Sequence, residues 1–519
     1  MKFKRIFLAA AALSTTMSFA STADEIAKLQ EQIDELKEGQ AEIAKHDGDD
    51  NLKWGVDFRT SYDNINYDMA DGKSKGNDNL YSMRLWLNMA YTPDDKNLFF
   101  GQLSMNKAFG ADFQSRANGR GSTFDWVTNE ALTDNTITVR KAYWVYLGEN
   151  AFGQENLPWT VSIGRRPSAN TFLANLSQDD EAESSLGHIM NVHVDALSAH
   201  LNFDELTGIP GMSVKFCAGL GSTNAEPLFT TSTPYAENDD NLDSIRMTSV
   251  LFQFYNDERF ILKAQWYKGW DLPGQEVSPI YTDANGNPSS PGSATNVSYG
   301  ASDFNQYGDI QGGALSGLID GITEEGYFSD AKVFASYAMS RTEPFSGKSM
   351  LGSTDNETGH SYWVGAYLPV GEENEYGTLG LEYNHGDKYW RPFTYAEDTM
   401  IGSKIAARGD AYELNYTYHI NEALSLQARY VNIDYKYTGS NGFFGNYSGN
   451  TSSIDDVKAG AASWNKLTNG ADPTNIQAIN DLANQVGTKK AKQLAGAAQS
   501  LPNIVEAAQD FRFYIRYRF

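Results

Sequence analysis

The segment Gln509-Asp510-Phe511-Arg512-Phe513-Tyr514-Ile515-Arg516-Tyr517-Arg518-Phe519 alternates strictly. On an extended chain successive side chains point to opposite faces. Phe511, Phe513, Ile515, Tyr517 and Phe519 therefore share one face, and Asp510, Arg512, Tyr514, Arg516 and Arg518 the other. One face is greasy and the other is cationic. The apolar face closes on Phe519 with no polar tail behind it, which suits a strand that finishes at a lipid interface.

Working outward from this strand, the same period of two recurs along the chain. It predicts strands over 52–62, 81–91, 98–109, 137–147, 159–166, 192–203, 212–221 and 244–255. It continues over 260–270, 308–318, 331–340, 362–370, 376–386, 412–420, 424–437 and 509–519. The connections sort by strand parity. Those after even strands are short, such as 92–97, 148–158, 204–211, 256–259 and 421–423. Those after odd strands are long and polar: 63–80, 110–136, 167–191, 222–243, 271–307, 341–361, 387–411 and 438–508. Short turns at one end and long loops at the other are the plan of a transmembrane antiparallel β-barrel. In hydrocarbon an unpaired strand edge leaves backbone groups without partners, so the last strand must pair with the first. The expected fold is all-β, a closed barrel of about 16 strands, with 14 or 18 as alternatives.

Composition agrees with strands that are apolar on one face only. Of 519 residues 41% are hydrophobic and 13% aromatic, including 29 Tyr and 10 Trp. The formal charge of −25 argues against nucleic acid as a partner. The single cysteine, Cys217, has no internal disulfide partner.

Residues 1–20 read as a secretory signal: Lys2, Lys4 and Arg5, then an apolar run, then small residues, with cleavage after Ala20 or Ala23. Residues 24–45 follow as a periplasmic helix. Its Ile26, Leu29, Ile33, Leu36 and Ile43 form a heptad seam that points to a coiled coil between subunits, a homo-oligomer with a trimer favoured. A polar linker, 46–51, leads into the barrel at 52–519, and 438–508 is a long, partly helical loop insertion. Asp472-Pro473 marks a helix start there.

The faces opposite the apolar ones should line the lumen. Arg59, Arg84, Arg140, Arg429 and Arg512 then form a basic wall across neighbouring strands of a closed barrel, against fewer acids, among them Asp57, Glu382 and Glu413. Such a wall concentrates anions; the alternative is that each arginine satisfies a neighbouring carboxylate or carbonyl and sets no selectivity. Lys141 fits badly, because strict alternation puts it on the lipid face; the accounts are a place at the interface, a bulge or a subunit contact, with the contact favoured.

Tyr517-Arg518-Phe519 resembles the closing signal of outer-membrane β-barrel proteins, which the barrel-assembly machinery reads. The stretch from Leu52 to Phe519 resembles the general-porin plan of sixteen strands. That resemblance implies that the third long loop folds into the barrel and narrows it, making Asp179, Asp180, Glu181 and Glu183 candidates for an acidic constriction. Gly380-Leu381-Glu382-Tyr383-Asn384-His385-Gly386 with Tyr389-Trp390 is similar to uncharacterised porin-like outer-membrane proteins common in epsilon-proteobacteria. The resemblance implies a cell outer membrane location, passive passage of small hydrophilic solutes or ions, and contact with outer-membrane lipid. The alternative is a structural or adhesive barrel plugged by its last long loop.

No enzyme, cofactor or metal site is expected. His360-Ser361 resembles the pair of outer-membrane phospholipases but lacks its flanking residues. Asp283-x-Asn285-Gly286-Asn287 lacks the closing Glu of a calcium loop and reads as a turn.

Overall fold

The computed structural model describes residues 52–110, 135–167, 170–226, 231, 235, 237–238, 242–371, 374–394, 399–440, 442, 444–447 and 449–519. The expected signal segment, the heptad helix and the linker fall outside these residues. Sixteen antiparallel strands form a closed barrel in simple sequence order. They are β1 (Leu52–Met69), β2 (Ser74–Tyr91), β3 (Asn97–Ala108), β4 (Thr138–Gly148), β5 (Trp159–Pro167), β6 (His193–Asn202), β7 (Ser213–Leu220) and β8 (Arg246–Asn256). The second half is β9 (Phe260–Gly274), β10 (Asn305–Asp320), β11 (Lys332–Pro344), β12 (Thr358–Pro369), β13 (Thr378–Gly386), β14 (Gly409–Asn421), β15 (Leu424–Tyr435) and β16 (Val505–Arg518).

Closure joins β1 to β16, with Thr60 opposite Ile515 and Arg59 opposite Arg516. The ladder extends to the last residue: Val56 N donates to Phe519 O at 2.8 Å, and Phe519 N to Val56 O at 3.0 Å. Among the described residues the barrel itself has no open edge, which is the condition for spanning hydrocarbon. Among the described residues no helix is long and apolar enough to cross a membrane. From Asp510 to Tyr517 the alternation on β16 holds: Phe511, Phe513, Ile515 and Tyr517 are exposed, while Asp510, Arg512, Tyr514 and Arg516 are buried.

Two expectations are corrected. The span 63–80 is not a long loop. β1 and β2 continue as one hairpin joined at residues 70–73, because their polar residues still pair across the ladder, from Ile65 with Asn77 to Asp68 with Ser74. Lys141 does not face lipid. The β3–β4 register slips between Gln102 and Leu103, leaving Arg140 without an opposite residue. One extra residue re-aims a side chain, so Arg140 and Lys141 both turn inward, and Lys141 Nζ meets Glu183 at 2.6 Å. The last loop, whose place as cap, plug or outer surface the sequence leaves open, contributes Phe444 to the interior apolar cluster, while its helices pack elsewhere. Its helices α1 (Ile454–Thr468), α2 (Ile476–Val486) and α3 (Thr488–Ser500) bury Trp464, Leu482 and Leu494 against Val297. Val297 belongs to a hairpin of the fifth loop, formed by Val277–Thr282 and Asn296–Ala301. The apolar residues that the last loop had to bury thus find partners in another loop.

What fills the lumen is the third and seventh loops. They meet in a short parallel pairing of Met190–Asn191 with Phe393–Thr394. Phe172, Leu173, Leu186 and Ile189 of the third loop join Trp390, Phe393 and Ile405 of the seventh in one apolar cluster with wall residues such as Tyr267, Phe334 and Trp363. Glycines on the wall make room. A Cβ on Gly359 would lie 2.1 Å from the Tyr389 carbonyl carbon, and one on Gly386 would lie 2.6 Å from the Trp390 ring.

Candidate functional site

Three constellations sit inside the barrel. The first is the basic wall. Register places Arg59 beside Arg84 and Arg516, and Arg429 beside Arg512. All five predicted arginines point inward and are buried. Burying a guanidinium requires a partner, and the wall supplies several. Arg84 Nη2 lies 3.3 Å from Asp57 Oδ2, Arg512 Nε bonds Asp63 at 2.5 Å, and Arg140 Nη1 donates to Gln102 Oε1 at 2.5 Å. Arg84 and Arg140 both stack on Trp86, at 3.5 and 4.2 Å from the ring centre. Arg59 lies over Tyr514.

The second constellation is the tip of the third loop. The chain turns through a single 3-10 turn, Leu176–Gln178, and Asp179 closes it in the left-handed region at φ 51°. This presents Asp179 and Asp180 side by side to the end of β16. Arg516 Nη2 holds Asp180 Oδ1 at 2.7 Å, and Arg516 Nη1 donates to Gln178 O at 2.8 Å. Arg518 Nη2 reaches Asp179 Oδ2 at 2.9 Å, and its Nη1 reaches Asp180 Oδ1 at 3.0 Å. His419 Nε2 adds a contact to Asp179 Oδ2 at 3.1 Å. Burial works to raise the Asp179 carboxyl, but the hydrogen bond from His419 and the charges of Arg518, His419 and Arg516 outweigh it and hold it below the usual carboxylate range. Glu183 pairs with Lys141 further up the loop. Glu181 lines the same space. These groups bound a polar vestibule of about 340 Å³ at the short-turn end of the barrel, lined also by Asp57, Asn88 and Thr417.

The third constellation locks the two loops to the wall, and it was not anticipated. Lys404 of the seventh loop inserts between Glu382 and Glu413, which face each other across β13 and β14. Its Nζ lies 2.7 Å from Glu382 Oε2 and 2.5 Å from Glu413 Oε2. Burial would lower the ammonium, but the two carboxylates outweigh it and raise it. Beside it runs a chain of hydrogen bonds through His188 of the third loop. Ser361 Oγ donates to Asn384 Oδ1 at 3.1 Å, so His188 Nε2 donates to Ser361 Oγ at 2.9 Å. The imidazole Nδ1 then accepts from Ser336 Oγ at 2.7 Å. Asn384 Nδ2 ends the chain on Lys404 O and Ile405 O. Ser361 spends its proton on Asn384, so it is not poised as a nucleophile. His360, its neighbour, points outward to Tyr337 OH at 2.7 Å. The expected weakness of the His360-Ser361 motif has a simple cause: strand alternation puts the two on opposite faces.

Burial pushes His188 down to about 3. Its folded pKa lies below the unfolded value of 6.5, so the unfolded chain binds the proton first as pH falls. Stability is present above 6.5 and drains away below it, by roughly 1.4 kcal/mol per pH unit for this group. His188→Asn should therefore flatten the fall in urea midpoint between pH 7 and 4.5. An unchanged slope would mean that His188 does not carry it.

The chain matches a family profile over residues 74–478, from β2 into α2. It belongs to the DUF3373 family. That family is described as proteins of unknown function. No curated protein matches the chain. Among solved structures this DUF3373 member is similar to an anion-selective porin from Comamonas acidovorans, with 12% identity over 90% of this chain and 99% of that one, at a TM-score of 0.41. It is similar to OmpT, an outer membrane protein of Vibrio cholerae, with 10% identity over 90% and 97% of the two chains, TM-score 0.41. It is also similar to OprB of Pseudomonas putida, with 10% identity over 90% and 94%, TM-score 0.41.

Proposed function

We propose that this chain is an outer-membrane channel for small hydrophilic solutes, narrow and closed at rest. The basic wall of Arg59, Arg84, Arg140, Arg429 and Arg512 attracts anions, and Asp179, Asp180, Glu181 and Glu183 form its constriction. The observation that carries this reading is the third-loop tip, folded inside the barrel, bonded to Arg516 and Arg518 and bounding a charged vestibule of about 340 Å³. The apolar outward faces of the strands support a lipid surround. The heptad seam supports a trimer with its helices in the periplasm, and Tyr517 and Phe519 serve as the assembly signal. Catalysis has no part in this reading.

A sealed barrel that works through its long-loop face is the second reading. The continuous apolar core of the third and seventh loops favours it.

Single-channel recording in a planar bilayer separates the two. Small conductance steps, with a reversal potential shifted toward anions in a salt gradient, are the expected result. A shift toward cations would transfer control to the acidic loop. Silence from protein shown to be folded by heat-modifiable gel mobility would leave the sealed barrel.

A further inference from the structure

We propose that Arg516, Arg518 and His419 form a binding site for small dicarboxylates, occupied in the closed state by the protein's own Asp179 and Asp180. The proposal deepens the channel reading by naming its cargo, and it rests on that reading for transport though not for binding.

The tip of the third loop has the chemistry of such a ligand. Two adjacent carboxylates meet two guanidiniums and an imidazole in four contacts of 2.7–3.1 Å, and the guanidiniums add bonds to the Gln178 and Asp179 carbonyls at 2.8 Å. Paired guanidiniums are the groups that recognise carboxylates with defined geometry. The two arginines differ in what they keep if the tip leaves. Arg516 retains Asp57, to which its Nε donates at 3.0 Å. Among the described residues, the side-chain bonds of Arg518 all go to the tip, to Asp179 O and Oδ2 and to Asp180 Oδ1. With Asp179 and Asp180 withdrawn, Asp57 is the carboxylate that stays bonded to this trio, through Arg516. A dianion would restore the lost charge balance.

Access and mobility point the same way. Arg518 keeps 28% of its side-chain surface exposed and lines the vestibule with His419's partner Asp179. The tip is held mainly by polar bonds, whereas the loop on either side is anchored by Phe172, Leu173, Leu186 and Ile189 in the apolar cluster. Asp179 sits at a positive φ that a non-glycine residue adopts at some cost. A tip tied down by charge and slightly strained can exchange with a competing anion while the loop's root stays in place. Binding of solute and release of the constriction would then be one event.

The test is titration calorimetry of the full chain in detergent at low salt, with succinate as the probe and acetate as the single-carboxylate control. An internal competitor lowers apparent affinity by the fraction of time it holds the site. Removing its charge in D179N/D180N should tighten succinate binding by about tenfold, with little gain for acetate. Adding R518Q to that background should abolish the gain. H419Q substitutes for R518Q if the triple variant fails the heat-modifiability check. The proposal is overturned if D179N/D180N binds succinate no more tightly than the wild type, or if R518Q and H419Q leave the gain intact. Calorimetry does not depend on conduction. Channels that conduct without this binding pattern would sink the site and keep the channel, and silent barrels that show it would do the reverse.

Discussion

Lys404→Met is expected to lower the unfolding free energy by about 3–5 kcal/mol, the cost of breaking a buried ion pair from one side. The ammonium sits between two carboxylates that the β13–β14 register places directly opposite each other. Arg429 also acts on Glu413, but the other groups bonded to the pair are neutral donors. Trp363 Nε1 donates to Glu382 Oε2 at 2.9 Å, Tyr367 OH donates to Glu382 Oε1, and Asn415 Nδ2 donates to Glu413 Oε1 at 3.0 Å. None of these can neutralise the charge that methionine would leave. Glu382 and Glu413 would repel each other inside the barrel, and the seventh loop would lose its pin. Urea unfolding followed by tryptophan fluorescence in detergent measures the effect at neutral pH. The triple variant K404M/E382Q/E413Q should regain most of the loss, since replacing all members of a buried ionic group is far gentler than removing one. A single variant within about 1 kcal/mol of the wild type would show that water reaches the triad.

Trp390→Ala should cost about as much, roughly 3–5 kcal/mol, through lost burial and the cavity left behind. Trp390 is fully buried. Its Nε1 donates to Ile405 O at 2.8 Å, and its ring meets the His188 ring edge-on at 5.5 Å between centres. It therefore ties the seventh loop to itself and to the third loop together. Because the cavity would open within the lumen, the same variant should also raise conductance in a planar bilayer. Loss of stability with no change in conductance would place the plug's gate elsewhere. Neither effect would mean that the loops hold through the wall alone.

The Lys141 correction shows where local reading ends. Alternation assigned it to the outer face, and a single register slip at Gln102 and Leu103 reversed it. Nothing in the residues near Lys141 announces a bulge. Its partner, Glu183, comes from the next long loop. The basic wall is a parallel case. Its inward direction was legible from period two, whereas the satisfaction of its arginines by Asp57, Asp63, Gln102 and Trp86 was not. That depended on which neighbours the closed register brought alongside.

The sequence by itself determined a closed antiparallel barrel of about sixteen strands, the outward face of most of them, and the pairing of first strand with last. These follow from a two-residue period and from the rule that no backbone group goes unpaired in hydrocarbon, both of which act residue by residue along the chain. Only the tertiary structure decided what occupies the interior. The third and seventh loops enter and meet each other, Lys404 docks between two carboxylates, and His188 bonds serines 148 and 173 residues away. Loop residues carry no period, so their places are set by the burial and charge partners that the closed barrel offers them across long stretches of chain.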